Sequence, residues 1–494
     1  MSHYKPYPAY KDSGVEWIGR VPEHWDVKPI CRVASYNDDL LPEKNVQPDQ
    51  VLRYVDISSV NHMDGITDVA ELRFADAPSR ARRRAKTGDV VISTVRTYLK
   101  AVATVTGTHA DCIYSTGFAV LRARPSEVEP EFLKWMTLND LVIQAIEAHS
   151  EGLSYPAINA TELVKLKAVI PPPAEQTAIA AALDRETARI DALIAKKTRF
   201  IELLKEKRQA LITHAVTKGL SGLRHSHESG NPESPATGPK ALDSRMRGND
   251  EGGRASGDDS MAVPMKDSGV EWIGEVPEHW TLGRLRDFVR TISTGPFGTA
   301  LGSDDYVSNG VPVINPSHIV DSGCVPDATV TVNEDKASQL AFWAMRPGDI
   351  VTARRGELGR AAIISEQQAG WICGTGSIRI TPDAAKIASE YVHTTLQADY
   401  ARRWLELHSV GSTMPNLSEK LIGDLPMAVP PTIPEQHHLL RRSTEGSIRL
   451  DAMAAKVKHS IILLKERRSA LITAAVTGQI DLRDAALLGK DTSA

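Results

Sequence analysis

The sequence predicts an α+β protein built as two tandem units, each a compact domain with a strongly curved sheet followed by one long helix. Three observations carry this. Residues 12–25 read DSGVEWIGRVPEHW and residues 267–280 read DSGVEWIGEVPEHW, differing only at Arg20 against Glu275, which marks a tandem duplication. Residues 175–216 hold neither Pro nor Gly and are dense in Ala, Leu, Glu, Lys and Arg, strong helix formers. That segment has an echo from Glu435-Gln436, in which LLKERRSALITAAVTG (from Leu463) answers LLKEKRQALITHAVTKG (from Leu203).

The opening motif is too short to be a domain. Trp17, Ile18, Val21 and Trp25 are expected to pin the start of the unit to its core rather than to stack on a ligand. The two middles, residues 26–155 and 281–414, share little identity but keep a common grammar of short β-branched runs separated by Gly and Asp. Thr87-Gly88-Asp89-Val90-Val91 matches Pro347-Gly348-Asp349-Ile350-Val351, a turn feeding a strand. Lys100-Ala101 matches Arg360-Ala361, and Ser115-Thr116-Gly117 matches Gly374-Thr375-Gly376. A helical segment follows in each, over residues 131–148 and 389–408. Each middle closes alike: Gly152, Ser154, Pro156 and Ile158 answer Gly411, Thr413, Pro415 and Leu417. A strand then meets Pro171-Pro172 or Pro430-Pro431, where it must stop.

The long helix starts within a few residues of those prolines. Ile179, Leu183, Ile190, Leu193, Phe200, Leu204 and Leu211 fall on alternating four-and-three spacing and draw an apolar seam, interrupted by Glu186, Lys197, Lys207 and His214. At about 1.5 Å per residue such a helix runs roughly 60 Å. In the echo the seam is Leu439, Leu450, Met453, Val457, Leu464 and Leu471, with gaps at Ser443, Gly446 and Ser460. Two one-sided helices in one chain can bury their seams on each other. Lys196, Lys197, Lys205 and Lys207 are expected to face solvent or a partner. Residues 221–265 are rich in Ser, Gly, Asp, Asn and Pro and read as a flexible linker, an insertion at the junction. The expected boundaries are therefore a first domain over 1–174, a helix over 175–217, a linker over 218–266, a second domain over 267–434, a helix over 435–477 and a tail over 478–494.

Composition narrows the class. A length of 494 residues suggests two to four domains, and 41% hydrophobic content is ordinary for a soluble chain. No apolar run approaches the roughly 20 residues that span a bilayer, and the N-terminus lacks the apolar core of a secretory signal, so a cytoplasmic location is expected. Cys31, Cys112, Cys324 and Cys373 are scattered, without metal-ligand spacing. The net charge of −4 denies a nucleic-acid binder that relies on bulk charge. No phosphate loop, dinucleotide fingerprint or Asn-Pro-Pro-Tyr-type motif is present; Asn315-Pro316 continues as Ser317-His318. Asp327, Glu334 and Lys336 are loosely similar to a metal-dependent nuclease set, but the first unit lacks them. The chain reads as non-catalytic, with no metal.

The paired DSGVEWIG-x-VPEHW openings, the PP-x-x-EQ helix starts and the LLKE-[KR]-R-x-ALI-T-x-AVTG-like helix ends resemble the specificity subunit of type I restriction-modification systems, over nearly the whole chain except the linker and the last dozen residues. The rapid passage from first helix to second domain usual in that family is missing. The resemblance implies that the middles are target recognition domains, each reading half of a split double-stranded DNA sequence. It implies that the helices pair as an antiparallel coiled coil, setting the half-site spacing and docking two methylation subunits. Restriction subunits would join the same complex, an adenine methyltransferase and ATP-dependent endonuclease. S-adenosylmethionine, ATP and magnesium would then belong to the partners. A scaffold that binds no DNA is the competing reading, disfavoured because it gives duplicated domains no reason to diverge.

Candidate DNA contacts follow from the same placement. Arg96 and Lys100 in the first middle, and Arg354, Arg355 and Arg360 in the second, come after the Gly-Asp turn and suit base edges or phosphates. Arg80, Arg82, Arg83, Arg84 and Lys86 form the densest basic cluster and suit phosphates. Ser58 and Asn61, with Asn315, Ser317 and His318, are polar candidates after matched strands. The glycines of residues 294–299 suggest close backbone approach.

Overall fold

The computed structural model of the chain describes residues 5–219 and 263–483, apart from residues 43, 45, 153, 321–322, 357 and 410–415. The expected linker lies outside them except for residues 263–265, as do Gly411, Thr413, Pro415 and the tail from 484. The described residues form two compact units. The first takes residues 1–199 and 457–494, the second residues 200–456.

Each unit opens on a hairpin written by the repeated motif. Tyr10–Asp12 pairs antiparallel with Arg20–Pro22, and Met265–Asp267 with Glu275–Pro277, so the second unit's first strand already begins at Met265. The Asp-Ser-Gly triplet makes the turn: Asp12 Oδ1 accepts from Gly14 N at 2.8 Å and Asp267 Oδ1 from Gly269 N at 2.9 Å. Both glycines sit in the left-handed region, at φ +69° and +67°.

The sheet content of each middle is organised as two four-stranded sheets. In the first unit one sheet runs Ala34–Tyr36, Phe118–Ala123, Val90–Ser93, Val102–Thr104, all antiparallel. The second unit repeats it as Val289–Thr294, Ser377–Pro382, Ile350–Ala353, Ala361–Ile363. The other sheet contains one parallel pair, central in the first unit as Val51–Val55 beside Ile113–Ser115, and at one side in the second as Val311–Ile314 beside Ile372–Cys373. The Asp of the Gly-Asp turn is structural. Buried Asp89 accepts from Lys86 N at 2.7 Å and takes both ends of Arg122, at 2.9 and 2.6 Å; Asp349 accepts from Arg346 N and Thr381 Oγ1. Each expected helical segment is broken in two, as Pro130–Thr137 with Asp140–Ala148 and as Ser389–Gln397 with Asp399–His408. In the first, Asn139 Oδ1 caps the new helix by accepting from Leu141 N at 3.0 Å.

The repeated motifs meet in a latch. Trp25 is fully buried, and its Nε1 donates to Glu175 Oε2 at 3.0 Å while His24 Nε2 lies 2.7 Å from Glu175 Oε1. In the second unit Trp280 Nε1 donates to Glu435 Oε1 at 3.1 Å and His279 Nε2 lies 2.9 Å from it. The next residue serves equally: Gln176 accepts from Glu129 N and donates to Pro171 O and Glu127 O, and Gln436 does the same with Ala388 N, Pro430 O and Lys386 O. His-Trp and Glu-Gln are thus the two halves of one joint between domain and helix; Trp25 and Trp280 are core anchors as expected, while Trp17 is only half-buried and its counterpart Trp272 is exposed.

The long helices run Pro173–Thr217 and Ile433–Val476, two residues earlier than expected because Pro173 and Pro434 fit a first helical turn. Both cross the boundary between units, so each unit is built from half of each helix. Within the first unit Arg483 approaches Glu175 at 3.6 Å, Arg468 pairs with Asp191 at 3.0 Å, and Thr473 Oγ1 donates to Asn139. Within the second, Arg208 pairs with Asp451 at 3.3 Å and Gly446 lies against Leu211. One number rises as the other falls, so the halves pair antiparallel in each unit. Ile179, Leu183, Ile190, Leu204, Leu439 and Leu471 are buried; Leu211, Leu450, Val457 and Leu464 are half-buried. Leu193, Phe200 and Met453 are instead exposed and join none of the hydrophobic clusters. The seam is fully covered where a domain closes over the helix pair, as Ile179 and Leu183 share a core with Trp25 and Phe132.

Candidate nucleic-acid interface

Three turns of the first unit come together at one edge. The strand Val90–Ser93 ends at Thr94, whose N and Oγ1 both donate to Gly117 O, at 2.8 and 2.9 Å. Thr116 N donates to Arg80 O at 2.7 Å. A Cβ on Gly117 would lie 2.6 Å from Ile57 Cδ1, so the short turn Ile57–Ser59 abuts the same place. Ile158 N donates to Thr94 O, and Val95 bridges Ala157, which brings in residues 150–157. Ser58, Arg80, Arg96 and Tyr155 are therefore neighbours along one edge. The guanidinium of Arg96 lies over the Tyr155 ring at 5.2 Å, with both side chains exposed. Arg80 is half committed, bonded to Asp56 at 3.0 Å and to Tyr54 Oη at 3.3 Å, partners that both raise its pKa.

The second unit assembles the same edge from different residues. Arg354 N donates to Gly376 O at 2.9 Å and Leu417 N to Arg354 O at 2.9 Å. Arg354 Nε donates to Leu417 O at 3.0 Å, and its guanidinium lies over Phe297 at 4.8 Å. A Cβ on Gly295 would overlap the Gly374 carbonyl, so the loop of residues 294–299 does make the close approach its glycines suggested. Gly374 N donates to Ile314 O and its Cα faces the Asn315 side chain, placing Asn315 and exposed Ser317 alongside. Arg355 is exposed there as well.

Several expected contacts are placed elsewhere. The basic cluster is not one patch. Ala81–Arg84 is a strand antiparallel to Ile113–Ser115, with Arg80 at the edge described and Arg84 opposite Ile113 at the other end. Lys86, exposed, lies beyond the end of that strand at the base of the Gly-Asp turn, away from Arg80. Alternation splits the strand, so Arg82 lies over Phe74 at 5.5 Å. Arg83 is half-buried, Nε has no partner, and burial lowers its pKa. Asn61 caps a turn, its Oδ1 accepting from Met63 N and Asp64 N. His318 is buried, its Nδ1 3.2 Å from Asn315 N and 3.1 Å from Val313 O, which makes it a turn residue. The match of Lys100 to Arg360 shifts by one. Ser93 N donates to Ala101 O where Ala353 N donates to Arg360 O, so Lys100 corresponds to Gly359 and Ala101 to Arg360. The first loop is one residue longer, which identity alone did not reveal. Lys100 and Arg360 are half-buried.

The acid-lysine set of the second unit does not converge. Lys336 pairs with Asp305 at 2.9 Å and Asp327 caps Thr329. Among the described residues no group of three or more His, Cys, Asp or Glu could hold a metal ion, and no helix is long and apolar enough to cross a membrane. Sequence reasoning missed Tyr155, whose loop gave no signal beyond an aromatic beside a proline.

Fold and edges together define a class: two units of like architecture, each a sheet domain latched to an antiparallel pair of helix halves and each presenting a different polar edge. The sequence profile described as the type I restriction modification DNA specificity domain matches residues 277–442. The specificity subunit of the Escherichia coli type I restriction enzyme EcoBI is 22% identical over 340 residues, 68% of this chain and 63% of that subunit. The EcoDI specificity subunit, also from Escherichia coli, is 20% identical over 364 residues, 72% of this chain and 71% of the relative. The match thus spans less than two thirds of the EcoBI subunit's length. A chain solved in work on complex assembly and conformational transition of the type I R-M system has the same fold, with a TM-score of 0.64, 21% identity and coverage of 92% of this chain and 98% of that one. The chain is thus similar to type I restriction-modification specificity subunits, with the specificity-domain match falling in its second unit.

Proposed function

We propose that this chain is the sequence-specific DNA-recognition subunit of a type I restriction-modification complex, each unit reading one half of an asymmetric bipartite target. The observation that carries the reading is one frame bearing two different edges: Ser58, Arg80 and Arg96 in one unit, Asn315, Ser317, Arg354 and Arg355 in the other. Specific readout needs a surface that varies on a scaffold that does not. A scaffold without a DNA role gains nothing from that variation. The long helices set the spacing between half-sites, as dimer geometry does in other DNA binders. They also dock two methylation subunits, and restriction subunits join the same complex. S-adenosylmethionine, ATP and magnesium act in those partners, and the assembly works in the cytoplasm on adenine. Exchange of residues 281–414 for another such domain tests this. Methylation mapping with the cognate methylation subunit should show one half of the target altered and the other retained; alteration of both halves, or of neither, would count against it.

A further inference from the structure

We propose that Arg96 reads a guanine in the first half-site, presented by its stack on Tyr155, and that Arg354 on Phe297 does the same in the second; the proposal rests on the DNA-recognition reading above. Left-handed backbone marks the first loop. Arg96 and Lys100 adopt φ +52° and +51°, where the second unit has Gly356 at +85° and Gly359 at +83°. The hydrogen bonds that align the two loops make these corresponding positions. A residue with a Cβ is disfavoured there, and glycine is the unstrained choice. Such strain concentrates where a side chain is needed for function.

The Arg96 side chain is not used for stability. It forms no hydrogen bond or ion pair with another described residue, and its contact is the face of an exposed ring. Arg122, by contrast, spends its fork on buried Asp89. Stacking fixes the guanidinium plane while leaving its edge donors open, which suits the O6 and N7 acceptors of guanine in the major groove. The second unit reaches the same arrangement by another route, with Arg354 Nε tied to Leu417 O and the plane over Phe297. Two units that share little sequence each place an arginine on an exposed aromatic in the same loop, two positions apart: Arg354 corresponds to Thr94, and Arg96 to Gly356. Beside Arg96, Tyr98 and Leu99 are 52% and 40% exposed, an apolar pair suited to a thymine methyl at an adjacent step.

The test uses the full chain with its cognate methylation subunits. Affinity is measured on duplexes substituted at each base pair of both half-sites and at several salt concentrations, beside methylation mapping. Arg96→Lys keeps the charge without the fork, and Arg96→Gly removes the side chain while relieving the backbone. Both should lower discrimination at one G·C pair of one half-site by roughly 5- to 100-fold, leaving the other half unchanged; Arg354→Lys should act on the other half alone. Arg96→Gly should melt no lower than the parent, which separates lost reading from lost folding. Uniform weakening of all sequences, with the motif intact and the salt slope reduced by about one, would make Arg96 a phosphate contact and overturn the proposal. A parent complex with no split motif would overturn the recognition reading itself, before any variant is compared.

Discussion

Trp25 and Trp280 are each held by one carboxylate, and that makes the latch the most testable residue-scale feature. Glu175→Ala leaves the indole N–H, and the Tyr7 hydroxyl that also donates to Glu175 at 3.2 Å, without their acceptor. It should destabilise the first unit by about 2–3 kcal/mol. Trp280→Ala should cost the second unit about 3–5 kcal/mol. Thermal unfolding of the two variants checks both values. Histidine sets the pH dependence. Burial lowers the pKa of His62 and of His393, the latter within 3.0 Å of Ala361 O. At these two sites the folded state therefore binds fewer protons than the unfolded chain across the ordinary histidine range. Stability should fall as pH drops through that range and be fully present above it. Denaturant midpoints at pH 7.5 and 5.5 test this, and His393→Gln should reduce the difference.

At the scale of elements, the helix ends show why two glycines recur at the close of the helix motif. Gly219 and Gly478 stop their helices in left-handed conformation, at φ +70° and +74°. A Cβ on Gly478 would overlap Pro22 and meet Trp25 at 3.0 Å, whereas on Gly219 it would come no closer than 3.4 Å, to Trp280, with Pro277 and Leu439 at ordinary contact distance. Gly478→Ala should therefore cost more than Gly219→Ala, about 2–4 against about 1 kcal/mol, by thermal unfolding. The long helices were legible because composition and spacing act locally. The breaks at Asn139 and Ala398 were less so, since an apolar period continues across a cap. Leu193, Phe200 and Met453 carried the right spacing, but burial depends on what covers the helix, which spacing does not encode. The edges were half legible: Arg96 and Arg354 follow a readable turn, while the aromatic beneath each depends on loop pairing. Arg80 to Lys86 looked like one patch only because strand direction was invisible in a run of charges.

At the scale of the molecule, each helix contributes to both units, so duplication alone does not describe the design. In the second unit Gly219 lies against Pro277 and Trp280 while Glu278 N donates to Pro264 O at 2.8 Å. The chain thus leaves and rejoins the same segment on either side of residues 220–262. Deletion of residues 221–262 should leave the melting temperature within a few degrees and the recognised motif unaltered. A large fall in either would make that segment part of the working protein.

Two units of like architecture present two different polar edges, which the proposed function assigns to two half-sites. The most direct measurement is genome-wide methylation mapping in cells carrying this chain with its cognate methylation subunit, beside cells lacking this chain. An asymmetric split motif that appears only with the chain is the expected result. A palindromic motif, or no chain-dependent motif although both proteins are expressed and soluble, would contradict it.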